Sequence, residues 1–212
     1  MRIALFGGTF DPIHRGHLRL AAAASKAFAL DRVLFAPVGR QPLKTDATTA
    51  SFAERLAMVA IAVASGDPST RNFLPSALDA PRPDGSPNYT VDTLAAFAEE
   101  FPDADATHFA LIGADSFLTL PRWHDAGRLL SLAEWIVVSR PEFPLGPAFF
   151  DQPELAPLAL TPAQRARIHL LTTVHEDVSA TDLRRRLREG ESCAGLVPPE
   201  VAEYIHSHHL YR

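Results

Sequence analysis

Short apolar runs alternate with helix-like stretches along most of this chain, and that alternation constrains the fold more than any other feature. Residues 2–6 read as a short buried strand that Gly7 and Gly8 end. A Leu- and Ala-rich helix follows over about 16–29, then a second strand over 32–38. Ser51 opens the next helix with a capping box, Glu54 standing three residues on. Phe52, Leu56, Val59, Ala60 and Val63 form its expected apolar face. A third strand is expected over 72–78, a proline-rich loop over 79–88, and a helix capped by Thr90 running to about Phe101. Strands over 107–113, 134–139 and 168–173 complete the set, with a short helix after Asp115 and closing helices near 181–189 and 199–206. Residues 141–162 hold six of the chain's 18 prolines and read as an irregular excursion. Strands separated by helices imply βαβ units. The expected fold is therefore α/β: a Rossmann-like, doubly wound, mostly parallel sheet with helices on both faces and a small C-terminal helical extension.

A length of 212 residues suits one domain over 1–212, its C-terminal helical part covering about 179–212. The net charge of −5 argues against a broad nucleic-acid footprint, which needs a basic surface. No apolar stretch approaches the ~20 residues of a membrane helix. The single cysteine, Cys193, excludes an intramolecular disulfide and suits a reducing cytoplasm. Homo-oligomers are left open.

In doubly wound sheets ligands bind beyond the carboxyl ends of the strands, so the loops after the strands carry the chemistry. The first is Gly7-Gly8-Thr9-Phe10-Asp11-Pro12-Ile13-His14-Arg15-Gly16-His17. Two glycines let backbone approach a ligand closely, and the N–H groups of Thr9 and Phe10 could face phosphate. His14 and His17 flank the start of a helix, where free N–H groups make an anion site. Their imidazoles could donate to phosphate oxygens whose charge grows as a leaving group departs. By itself the H-x-x-H spacing also fits metal ligands, with Asp11 the nearest third. A second anion site is readable near the other end, in Val178-Ser179-Ala180-Thr181-Asp182-Leu183-Arg184. Ser179 or Thr181 would cap a helix, and Arg184 lies one turn in, within reach of a phosphate at the cap. Arg185, Arg186 and Arg188 read as solvated.

The opening run resembles the GGTFDPxHxGH signature of the nucleotidyltransferase superfamily whose hallmark is HxGH, here His14-Arg15-Gly16-His17. The resemblance implies that both histidines contact ATP phosphates and favour pyrophosphate departure. The later element resembles the superfamily's SxTxxR, with Ser179, Thr181 and Arg184 on the triphosphate. Asn88-Tyr89-Thr90-Val91-Asp92-Thr93-Leu94 resembles the S-Y-T-[IV]-D-T-L segment of bacterial nicotinate-nucleotide adenylyltransferases, with Asn88 in place of Ser. That implies acceptor contacts from Tyr89 and Thr90. Gly113-Ala114-Asp115 with Trp123 resembles the same family's GxD…W. It implies that Gly113 and Asp115 serve the ATP ribose and that Trp123 stacks on a pyridine ring. Residues 37–44 look like the family's P-x-x-x-P-x-H-K loop, keeping Lys44 but carrying Leu43 at the His position, for which Arg40 could compensate. Ser139-Arg140-Pro141 matches a strand-end R-P, with Arg140 facing the nucleotide. Tyr204-Ile205 and His209-Leu210-Tyr211 match a closing pattern and read as structural.

The resemblance implies transfer of the adenylyl group of ATP to nicotinate mononucleotide, giving deamido-NAD and pyrophosphate. Mg²⁺ would be held mainly by ATP phosphates and water, with no dedicated protein metal site. Competing readings are the same chemistry on nicotinamide mononucleotide or pantetheine phosphate, a nucleotide-binding protein without catalysis, and a zinc hydrolase built on His14 and His17.

Overall fold

The computed structural model describes residues 1–42, 48–139, 145–172 and 178–212. Side chains in its strands alternate between two apolar clusters, one on each face of a sheet. Ala4, Phe6, Val33, Phe35, Phe109, Leu111, Ile136 and Val138 face one cluster. Ile3, Leu5, Leu34, Ala36, Ala110, Ile112, Trp135 and Val137 face the other. A strand buried on both faces needs near-continuous apolar sequence, which is why these segments were legible as runs rather than as alternation.

The strands are β1 (Arg2–Gly8), β2 (Arg32–Pro37), β3 (Phe73–Pro75), β4 (Thr107–Gly113), β5 (Glu134–Val138) and β6 (Ile168–Leu171). They lie in the order β3-β2-β1-β4-β5-β6, and every neighbouring pair is parallel. Strand order reverses between β1 and β4, so the loops after these two strands flank the crevice where such sheets take ligands. Helices α1 (Arg15–Ala27), α2 (Phe52–Val63) and α8 (Pro199–Ser207) cover the first face. Helices α3 (Thr90–Glu100), α4 (Ala114–Leu118) and α5 (Ala126–Leu132) cover the second. The expected doubly wound α/β architecture is therefore present. No helix among the described residues is long and apolar enough to cross a membrane.

Several local expectations change. β1 does not end at its glycines but pairs through them, Gly7 with Ala36 and Gly8 with Pro37. β3 is three residues long and lies at the edge of the sheet; its last bond to β2 runs from Ser76 N–H to Phe35 O at 2.9 Å, and Pro75 is tolerated because an edge strand needs no N–H on its open side. Thr90 is the first residue of α3 rather than its cap, a position taken by Tyr89. Asp115 lies inside α4 instead of preceding it. The buried face of α2 is Arg55, Met58, Val59, Ala62 and Val63. It is rotated from the expected face because a buried arginine occupies the seam, while Ser51 and Glu54 form the expected capping box. α5 and α6 (Pro162–Ala166) are additional to the expected elements. The described part of the proline-rich excursion, 145–162, is irregular, with two 3-10 turns over Pro147–Asp151 and Pro153–Leu158. It is also packed, since Phe149 and Leu155 are buried in the second cluster.

Candidate active site

The loop after β1 is shaped by a side chain that packs inward. Phe10 has a left-handed backbone (φ 48°), and its ring is buried edge-on against Phe6 and His17. Phe10 can thus offer a ligand its backbone alone. A Cβ on Gly8 would stand 2.9 Å from the Phe10 ring, so glycine is what lets this turn close. The Asp11–Pro12 peptide is cis.

His14 takes the N-cap position of α1, with His17 at the third helical position in a capping-box arrangement. The two rings stack at 3.6 Å. The backbone N–H of His14 donates to His17 Nδ1 at 3.3 Å. An accepting Nδ1 fixes the neutral tautomer with its proton on Nε2, so Nε2 is the donor nitrogen of His17. The expected cradle of free helix N–H groups is partly occupied: Arg15 N–H donates to Leu196 O at 2.9 Å, and His17 N–H to His14 O at 3.0 Å. Two of the N–H groups at this end are therefore already used within the protein. Gly16 sits between them and the C-terminal part, where an added Cβ would meet His14 Nδ1 at 3.0 Å and Val178 at 3.4 Å.

The segment around Ser179 and Arg184 folds onto the loop after β1. Ser179 occupies the N-cap position of α7 (Ala180–Arg188) without a side-chain cap bond, and both Ser179 and Thr181 are exposed. Arg184 crosses 173 residues of sequence to donate from Nη1 to Asp11 O at 2.7 Å, with Nη2 at 3.3 Å from Thr181 Oγ1. The neighbouring arginines are not simply solvated. Arg185 pairs with Asp182, Glu189 and Glu191, and Arg186 with Asp182 and Glu191. These acids neutralise the outer face of α7 and leave Arg184 as the arginine of this helix that meets the loop.

The acceptor motifs also converge. The Tyr89 ring stacks on His124 at 4.3 Å, joining the segment around Thr90 to Trp123. Trp123 is half-buried against the second cluster and donates from Nε1 to Thr119 Oγ1 at 2.9 Å. Gly113 ends β4 opposite Val138, which brings Asp115 to the carboxyl edge at the switch point. Lys44 and Arg140 lie outside the described residues. Arg40 does not turn toward the phosphate loop, because its Nη1 donates to Gly85 O at 2.5 Å.

Asn88 is more than a polar exchange for Ser. Its buried amide accepts from Arg40 N–H at 3.0 Å and donates to Ala80 O at 2.8 Å, pinning the post-β2 loop to the proline-rich loop. Gly39 makes that approach feasible, since a Cβ there would lie 2.5 Å from Pro81 N.

Behind this junction sits buried Asp79, which accepts from Thr93 Oγ1 at 2.8 Å. Burial pushes its carboxyl up to about 6, against the lowering influence of Thr93, Asn88, Arg82 and Arg55. A folded pKa above the unfolded value of 3.8 means the associated stability is present below about pH 4 and lost as pH rises through about 6. Asp79→Asn should therefore match the parent near pH 4 and exceed it by up to about 3 kcal/mol above pH 7. Denaturant titrations of both proteins at the two pH values check this; parallel pH profiles would rule it out.

Sequence reasoning missed three residues packed around the site, Arg55, Asp79 and His124, and read Tyr211 as structural only. Asp11 stands nearest as a third ligand to the H-x-x-H spacing, but both oxygens of its carboxylate are bonded within the protein. Oδ2 accepts from Thr49 N–H at 2.8 Å, and Oδ1 from Ala50 N–H at 3.1 Å and Tyr211 Oη at 2.8 Å. Among the described residues no three His, Cys, Asp or Glu side chains come together as a metal-binding group.

The chain is similar to known proteins in sequence and in fold. The cytidylyltransferase-like family model matches residues 5–186. A probable nicotinate-nucleotide adenylyltransferase from Thermomicrobium roseum is 40% identical, over 100% of this chain and 92% of that protein. One of the same description from Thermus thermophilus is 40% identical over the whole of both chains. The fold also matches the solved nicotinic acid mononucleotide adenylyltransferase of Plasmodium falciparum complexed with NaAD. That likeness has a TM-score of 0.75 at 16% identity, over 99% of this chain and 97% of that one.

Proposed function

The chain belongs to the cytidylyltransferase-like family and, over its full length, to the nicotinate-nucleotide adenylyltransferases; from that premise we propose how it transfers the adenylyl group of ATP to nicotinate mononucleotide. A phosphate oxygen of the mononucleotide attacks the α-phosphorus of ATP in line. The new P–O bond forms as the bond to the β-phosphate oxygen breaks, and deamido-NAD and pyrophosphate leave. The acceptor is already an anionic nucleophile, so no covalent enzyme intermediate is required. The protein's work is to position two polyanions and stabilise charge.

His14 and His17 donate to the phosphates as pyrophosphate departs, with Lys44 and Arg184 supplying positive charge. The backbone of Gly7, Gly8, Thr9 and Phe10 and the hydroxyls of Ser179 and Thr181 line the triphosphate. Gly113 and Asp115 meet the ribose of ATP, while Tyr89, Thr90, Trp123 and Arg140 hold the acceptor. The observation that carries this reading is the bond from Arg184 to Asp11 O, which joins the two anion elements into one site. Mg²⁺, entering with ATP, would neutralise charge on the phosphate oxygens. The donor set fits a metal carried by the nucleotide, since Asp11 is already bonded to Thr49, Ala50 and Tyr211.

Pyrophosphate release with ATP and Mg²⁺ tests the reading, run with nicotinate mononucleotide beside nicotinamide mononucleotide. The acid should be preferred at least ~10²-fold in kcat/KM, the scale on which a site built for one polar group rejects its analogue. Equal use of both would remove the acceptor assignment, and release with neither would remove the reaction.

A further inference from the structure

The C-terminal residues of this chain reach the phosphate loop. Tyr211 is separated from Asp11 by 200 residues of sequence, yet its hydroxyl donates to Asp11 Oδ1 at 2.8 Å. Tyr211 is buried, with a left-handed backbone at φ 63°. Asp11 is equally buried and holds three segments at once. Its carboxylate accepts the N–H groups of Thr49 and Ala50 ahead of α2, and its carbonyl accepts Arg184 Nη1 from α7. The guanidinium of Arg55 braces the same loop one step away, donating to Thr9 O at 2.7 Å. Both oxygens of this buried carboxylate are engaged, with three of about four acceptor sites taken by protein donors, so its place in the loop is to fix geometry.

We propose that Tyr211 is a positioning residue for ATP: its hydroxyl orients Asp11, and through Asp11 the Thr9–His14 loop and the guanidinium of Arg184. The proposal rests on the reading of that loop as the ATP site. A C-terminal aromatic residue could instead serve only to fill the apolar cluster it joins beside Tyr204 and Leu210. The two roles separate cleanly, because filling needs the ring and orienting needs the hydroxyl.

Tyr211→Phe keeps the ring and removes the donor. The expected result is about a tenfold fall in kcat/KM for ATP, the scale of one hydrogen bond to a charged acceptor, with the KM for nicotinate mononucleotide little changed. In the free protein the amides of Thr49 and Ala50 should exchange hydrogen faster. Asp11→Asn should reproduce both effects, and the double variant should be no worse than Asp11→Asn alone. Parental ATP kinetics in folded Tyr211→Phe would overturn the proposal and leave Tyr211 a packing residue, as would unchanged amide exchange. If the parent protein does not use ATP, the ATP-site reading itself falls. The exchange measurement then still decides whether Tyr211 orients Asp11.

Discussion

His17→Ala should lower kcat by at least ~10²-fold, the effect of losing one preorganised donor at a developing negative charge. The expected loss falls on kcat more than on KM, because departing pyrophosphate carries more charge than bound ATP and so gains more from the donor. His17 is held from three sides. His14 N–H fixes its Nδ1, the His14 ring stacks on it, and the Phe10 ring meets it edge-on at 5.0 Å. Such restraint fixes the direction of Nε2 before any substrate binds, which is what preorganisation requires. The fold should tolerate the change, since the capping-box contribution that disappears is about 1 kcal/mol. His17→Asn should recover part of the rate, because its amide can donate, though from a shorter reach. Single-turnover measurements separate the chemical step from product release. A near-parental rate in His17→Ala would exclude the histidine from the chemistry.

The parts of this fold that were legible in the sequence are those fixed by local chemistry. Apolar runs marked the strands because these strands are buried on both faces, and Ser51 with Glu54 marked a helix start because a capping box is a local device. The same device marks α6, where Thr161, Pro162 and Gln164 stand at the cap, first and third positions. That signal was present and lay inside a stretch dominated by prolines. The strand order could not be read, since pairing joins residues far apart in sequence. Within the candidate site, the glycines, histidines and Arg184 could be singled out from the sequence because the chemistry expected of them is carried by side-chain type and spacing. Arg55 was not. Arginine is ordinarily exposed, and the groups that hold this one are backbone carbonyls, which look alike at every position. Tyr211 and Asp79 share that difficulty: each acquires its role from a partner that only folding brings close.

Arg55→Met should be the most destabilising single change in this region. Arg55 has no exposed surface, and its guanidinium donates to Thr9 O at 2.7 Å, Val38 O at 2.8 Å and Ala50 O at 3.3 Å. It thereby joins the ends of β1 and β2 to the start of α2. Methionine fills much of the same space but leaves three carbonyls without this donor, at about 1–3 kcal/mol for each buried group that finds no replacement. A total near 3 kcal/mol is expected, or roughly 6–12 °C in Tm for a chain of this size. Burial lowers the pKa of Arg55, while Asp11, Tyr211 and Asp79 favour its charge. Removing that charge takes away an interaction that eases ionisation of Asp79. The loss should therefore be larger at pH 8, where Asp79 must be charged in the fold, than at pH 5, where it can stay protonated. Arg55→Lys should rescue little, since one ammonium cannot reproduce a planar fork reaching three separate carbonyls. Denaturant unfolding of all three proteins at both pH values reads these differences. A loss below about 1 kcal/mol, or one independent of pH, would mean that the three carbonyls find other donors and that Arg55 is not the brace of the phosphate loop.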